Sequence, residues 1–108
     1  MRSRYAAYAL GLVDYVMGTT DPEGDHWQAD EAAWAAGIQA FSTGTRFRAL
    51  EVLGSGTDGD TGWVHFVAGL EQAGRDASFA ERSTFRRVEG RWLYRSGVPV
   101  APEPRLRD

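Results

Sequence analysis

The 108-residue chain contains no cysteine, no lysine and no asparagine. Without cysteine it can form no disulfide, no thiolate metal site and no cysteine nucleophile. No run approaches the roughly 20 apolar residues of a membrane-spanning helix, so no membrane span is expected. The opening Met1-Arg-Ser-Arg-Tyr-Ala-Ala-Tyr-Ala-Leu-Gly-Leu-Val imitates a signal peptide, basic first and apolar next. Asp14 and two tyrosines interrupt it and no small-x-small cleavage site follows, so a cytoplasmic, soluble chain is expected. The net charge is −3, with arginine supplying all twelve basic groups, which gives no reason to expect general nucleic-acid binding. Against these absences stand a hydrophobic fraction of 43% and four tryptophans. They argue for one packed domain, long enough to bury a core without staples.

Ser3 can cap a helix, and Tyr5, Tyr8, Leu12 and Tyr15/Val16 follow at spacings of three and four. One continuous helix with a single apolar stripe is predicted, ended by the segment around Pro22 and Gly24. Asp30 caps a second, shorter helix faced by Trp34, Ile38 and Phe41 and closed by Ser42-Thr43-Gly44. From Phe47 the period changes to two, with Leu50 and Val52 in a first strand. The glycine-rich segment 54–62 reads as a loop. Val64, Phe66, Ala68 and Leu70 share one face of a second strand; Trp63, His65 and Val67 share the other. Phe79, Glu81, Ser83, Phe85 and Arg87 share a face of a third. Glu89-Gly90 makes a two-residue turn into a fourth strand, Arg91 to Arg95. That turn pairs Val88 with Arg91, Arg87 with Trp92, Arg86 with Leu93 and Phe85 with Tyr94. Phe85, Trp92 and Tyr94 then fall on one side, and Arg82, Arg86, Arg91 and Arg95 on the other. Residues 98–108, rich in proline, read as an extended, frayed tail. Helices followed by antiparallel strands give an α+β domain over residues 1–97, its helices laid on one face of a curved sheet.

Three stretches carry a resemblance. They are Met1-Arg-Ser-Arg-Tyr-Ala-Ala-Tyr8 with Asp14-Tyr15; Gly62-Trp-Val-His-Phe-Val-Ala68; and Glu81-Arg-Ser-Thr-Phe85 with Glu89-Gly-Arg-Trp-Leu-Tyr94. In them the chain resembles the YchJ-like middle domain, a branch of the nuclear-transport-factor-2-like (cystatin-like cone) fold. The resemblance implies a long first helix, a second helix and a bent antiparallel sheet wrapped into a cone with an interior pocket. It supplies no activity, because the wider superfamily holds isomerases, dehydratases and plain binding modules. Family members usually carry a cysteine-rich zinc knuckle, the SEC-C motif, beside this domain. With no cysteine present, its zinc and partner-binding role are not carried over. The loop before Pro22 also reads Thr20-Asp21, where the family has an aromatic–His pair.

Alternation places Glu81 between Phe79 and Phe85 on the apolar face. A lone ionised carboxylate there would cost several kcal/mol, so it needs a partner. Arg4 and Arg2 are the natural ones, and a structural Arg4–Glu81 ion pair clipping helix to sheet is preferred to a catalytic role. The catalytic alternative makes Glu81 a general base in a pocket. Tyr8, Tyr15, Trp92 and Tyr94, with Ser83 beside Glu81, are the candidate ligand-binding residues. A site of ketosteroid-isomerase type would need Glu81 and Tyr15 or Tyr94 to converge on one ligand oxygen. His26 lies in the acidic loop and His65 outside the cone, which is no metal motif. Asp58-Gly-Asp60 lacks the closing glutamate of a calcium loop. No metal and no cofactor are expected.

Charge is unevenly spread. Asp14, Asp21, Glu23, Asp25, Asp30 and Glu31 fall between Tyr5 and Thr45 with no arginine, whereas six arginines lie between Arg75 and Arg95. The Arg82, Arg86, Arg91, Arg95 stripe reads as a solvated outer face balanced by acids elsewhere, not as a nucleic-acid surface. Leu93, Val88, Trp63 and Val67 offer the same face as a homodimer interface. The favoured function is a non-catalytic module that binds a small molecule or a protein partner, with an interior pocket. The alternatives are a small isomerase- or dehydratase-type enzyme using Glu81, and a homodimeric protein-interaction module.

Overall fold

The computed structural model describes residues 1–100. The predicted long first helix is two helices, α1 (Arg2–Leu10) and α2 (Val13–Gly18). Gly11 breaks it by adopting the left-handed conformation, φ 71°, which lets its amide close the last turn of α1. Met1, not Ser3, occupies the N-cap position of α1. Ser3 sits inside the helix, where its Oγ accepts a 2.7 Å hydrogen bond from the Tyr15 hydroxyl and ties α1 to α2. The next helix, α3 (Glu31–Gly44), is the longest of the three rather than a shorter one. Asp30 caps it as expected, its Oδ1 accepting from the Ala33 amide at 3.0 Å. Trp34 and Ile38 are its buried face.

The strands are β1 (Thr45–Asp58), β2 (Thr61–Gln72), β3 (Arg75–Asp76), β4 (Phe79–Val88) and β5 (Arg91–Pro99). They form an antiparallel sheet in the order β1-β2-β4-β5, with the short β3 paired to β2. Most of the glycine-rich segment expected as a loop is strand, because β1 and β2 stay paired out to Asp58 and Thr61. The Trp63 indole lies across Gly54 and Gly56 and supplies the packing that those glycines lack. The β4–β5 register is the one predicted from the turn. Beyond it the pairing shifts, with Thr84 opposite Ser96, so Arg95 is an extra residue that bends β5. Val98 and Pro99 belong to β5 rather than to a frayed tail, and the Val100 amide donates to the Ala80 carbonyl at 3.1 Å. The rest of the expected tail lies outside the described residues.

The segment between α2 and α3 closes the free edge of β5. Tyr94 donates its amide to the Thr19 carbonyl at 2.7 Å, and its carbonyl accepts from the Asp21 amide at 2.8 Å. The Asp25 amide donates to the Arg95 carbonyl at 3.1 Å. Gly24 permits this approach, since a Cβ there would collide with that carbonyl. Asp21 is fully buried in the seam. Its Oδ1 accepts from Arg86 Nη2 at 2.7 Å and its Oδ2 from Arg86 Nε at 2.8 Å, with Arg95 Nη1 at 3.4 Å. Glu23 adds a second ion pair to Arg86 at 3.5 Å. Two of the four stripe arginines are therefore neutralised by the chain's own acids, and Arg82 lies over the Trp63 ring. No helix among the described residues is long and apolar enough to cross a membrane.

Candidate ligand-binding cavity

Hydrophobic burial divides into two clusters. Ala7, Val16, Trp34 and Ile38 pack among the helices; Phe66, Ala68 and Leu70 pack on the concave face of the sheet. Tyr5 of α1 and Phe41 of α3 pack against the sheet cluster and against Phe47 of β1. Between the two clusters lies a cavity of about 540 Å³ that is lined from both sides. Its volume falls within the range of about 300–1,000 Å³ usual for small-molecule pockets. Aromatic rings form much of the wall: Tyr8 and Phe41 meet edge to face, as do Phe66 and Phe79. Trp34 and Ile38 close the helical side.

One end of the cavity is polar. Glu81 reaches it from β4, Tyr94 from β5, Arg4 from α1, and Thr20 and His26 from the segment before α3. Glu81 Oε2 accepts two hydrogen bonds, from Ser83 Oγ at 2.6 Å and from the Tyr94 hydroxyl at 2.8 Å. Gly97 leaves the carboxylate room, because a Cβ there would collide with Glu81 and with the Tyr94 hydroxyl. Burial, and then the Glu81 carboxylate, push the Tyr94 phenol well above its ordinary range. It therefore stays protonated and keeps donating. Its single hydrogen goes to Glu81, and the Tyr94 oxygen also lies 3.5 Å from His26 Nε2. Burial likewise raises the Tyr8 phenol.

Arg4 and Glu81 do not make the contact ion pair expected from the sequence. The Arg4 guanidinium stacks on the Tyr94 ring, 4.6 Å from its centroid. Its Nη1 donates to the Val16 carbonyl at 3.1 Å, to Thr19 Oγ1 at 2.8 Å and to Thr20 Oγ1 at 3.2 Å. Burial lowers its pKa, and the surrounding tyrosines and Glu81 oppose that shift. The clip between helix and sheet thus runs through Tyr94: cation on the ring face, carboxylate on the hydroxyl.

The six residues expected in one pocket are divided. Tyr8, Glu81 and Tyr94 line the inner cavity. Tyr15 and Trp92 line a separate outer cleft of about 700 Å³ with Arg91 and Phe85, and they are 42% and 36% exposed. Ser83 is fully buried and serves Glu81 as a donor instead of facing a ligand. Arg4 borders both spaces. His26 and Thr20 were not anticipated, because their segment has no periodicity. Gly24 is the local signal that the chain there runs close to another backbone. Among the described residues, no group of three or more His, Asp or Glu is placed to hold a metal ion.

The family model described as YchJ, middle NTF2-like domain, matches residues 1–97. A UPF0225 protein of Chromobacterium violaceum is 41% identical over 102 residues, covering 91% of this chain and 70% of its own length. A UPF0225 protein of Sodalis glossinidius is 38% identical over 106 residues, covering 94% of this chain and 66% of its own length. The chain thus spans only about two thirds of the length of these relatives. The solution structure of RPA3114, a SEC-C motif containing protein from Rhodopseudomonas palustris, is similar with a TM-score of 0.79 at 40% identity. That match covers 93% of this chain and 75% of the other. With helices laid on the concave face of a curved antiparallel sheet, and with this match along nearly its whole length, the chain belongs to the family of YchJ middle NTF2-like domains.

Proposed function

We propose that the chain is a non-catalytic binding module that holds a small, largely apolar molecule between its helices and its sheet. One observation carries this: two hydrophobic clusters that face each other across about 540 Å³, with polar groups gathered at one end. Apolar walls supply affinity, and a few fixed polar groups supply orientation. Glu81 with Tyr94 has the residue types of a base and a hydrogen-bond donor. Isomerase-like chemistry would need the Tyr94 hydrogen aimed at a ligand oxygen, and here it is given to Glu81. Binding is therefore better supported than catalysis.

Nile red, a neutral apolar dye, tests this. Saturable binding with a blue-shifted emission is expected for the wild-type chain. It should be lost in Ala68→Phe, which places a ring in the cavity, while circular dichroism shows the fold kept. Emission that never saturates on the wild-type chain would overturn the proposal.

A further inference from the structure

We infer that the molecule held in this cavity carries a hydrogen-bond donor, a hydroxyl or a protonated amine, at the end that meets Glu81, and not a carboxylate. The inference rests on the binding role proposed above and names the chemistry of the bound head group.

Glu81 is held as an acceptor. Ser83 Oγ and the Tyr94 hydroxyl both donate to Oε2, and Gly97 lets the carboxylate seat against β5. Oε1 receives no hydrogen bond from any described residue. It is not sealed from solvent either, because the one buried, unpartnered side-chain oxygen or nitrogen among the described residues is Ser42 Oγ. Glu81 lines the cavity, so its accessible oxygen is the acceptor offered there. Three other groups at this end already have partners. Tyr94 gives its only hydrogen to Glu81. Thr20 donates to the Val16 carbonyl at 2.8 Å and receives Arg4. The Arg4 guanidinium stands behind the Tyr94 ring with Nη1 already shared among three oxygens. A ligand donor would complete Oε1, whereas a ligand carboxylate would bring a second negative charge against it.

Octan-1-ol, n-octylamine and octanoate share one chain and differ in the head. Each is titrated at pH 7 by displacement of Nile red from the 108-residue chain. The alcohol and the amine are expected to bind at least about tenfold more tightly than octanoate, the scale of one hydrogen bond to a charged group. In Glu81→Gln, nearly the same shape without the charge, the amine's advantage over octanoate should collapse. Octanoate binding as tightly as the amine, or an unchanged ranking in a folded Glu81→Gln, would overturn the head-group assignment and leave the cavity's binding role standing. Failure of Nile red itself to bind would remove that role and the assignment with it. The ranking is read on the wild-type chain, so it decides the matter even where Glu81→Gln does not fold.

Discussion

Gly97 shows how much one hydrogen atom in place of a methyl group decides here. The Glu81 carboxylate and the Tyr94 hydroxyl meet over its Cα, and a Cβ at that position has nowhere to go. Gly97→Ala is expected to destabilise the chain by about 1–3 kcal/mol, the usual cost of overpacking. Gly37 is the control. It lies inside α3, and an added Cβ meets nothing within 4 Å. Gly37→Ala should stabilise by about 0.5–1 kcal/mol through helix propensity. Opposite shifts of the urea midpoint would bear this out; equal shifts would not. That Glu81 needed a partner was legible, because period-two alternation put it on the apolar face. The partner itself was not: Tyr94 reaches Glu81 from the neighbouring strand, while Arg4, the expected partner, is bound to Val16, Thr19 and Thr20.

The third helix and the last hairpin are marked in the sequence by chemistry close at hand. Asp30 accepts the free Ala33 amide in the first turn of α3, as its type and position suggest. The β4–β5 hairpin follows from a two-residue turn, with φ of 51° at Glu89 and 80° at Gly90. Glutamate is a poor residue for a positive φ, and Asn-Gly is the favoured pair for such turns. Glu89→Asn is expected to raise stability by about 0.5 kcal/mol, read as a higher midpoint in thermal unfolding. A lower midpoint would mean that the turn conformation does not limit the hairpin. The break between α1 and α2 escaped the periodicity, because the apolar stripe continues at helical spacing through Gly11. The glycine itself was the only sign of it.

At the scale of the whole molecule, the uneven charge of the sequence becomes a seam. Acids from the helical half, Asp21 and Glu23, meet arginines of the last hairpin, Arg86 and Arg95. The Arg86 hydrogen bonds hold the Asp21 carboxyl below its ordinary value of 3.8, against the opposing effect of burial. A carboxyl depressed in the folded state stabilises it fully above its unfolded pKa and loses that contribution as pH falls through the folded one. At pH 7 the wild-type chain should therefore exceed Asp21→Asn by about 2 kcal/mol, the worth of hydrogen bonds to a charged group. The gap should narrow as pH falls below about 3.8, the ordinary carboxyl value. Urea unfolding of both chains from pH 7 to pH 2 measures it, and a constant gap would exclude Asp21 as the titrating lock.

By itself the sequence determined the class of fold, the inward faces of β2 and β4, the cap of α3, the register of the last hairpin and the family. These depend on alternation, turn length and capping, which act between neighbours or across a two-residue turn. Tertiary structure alone decided that Tyr15 and Trp92 stand apart from Tyr8, Glu81 and Tyr94, that Tyr94 comes between Arg4 and Glu81, and that His26 reaches the cavity. Those placements depend on where the segment after α2 docks along the edge of β5. Hydrogen bonds spanning some seventy residues set that position, and no local pattern encodes them.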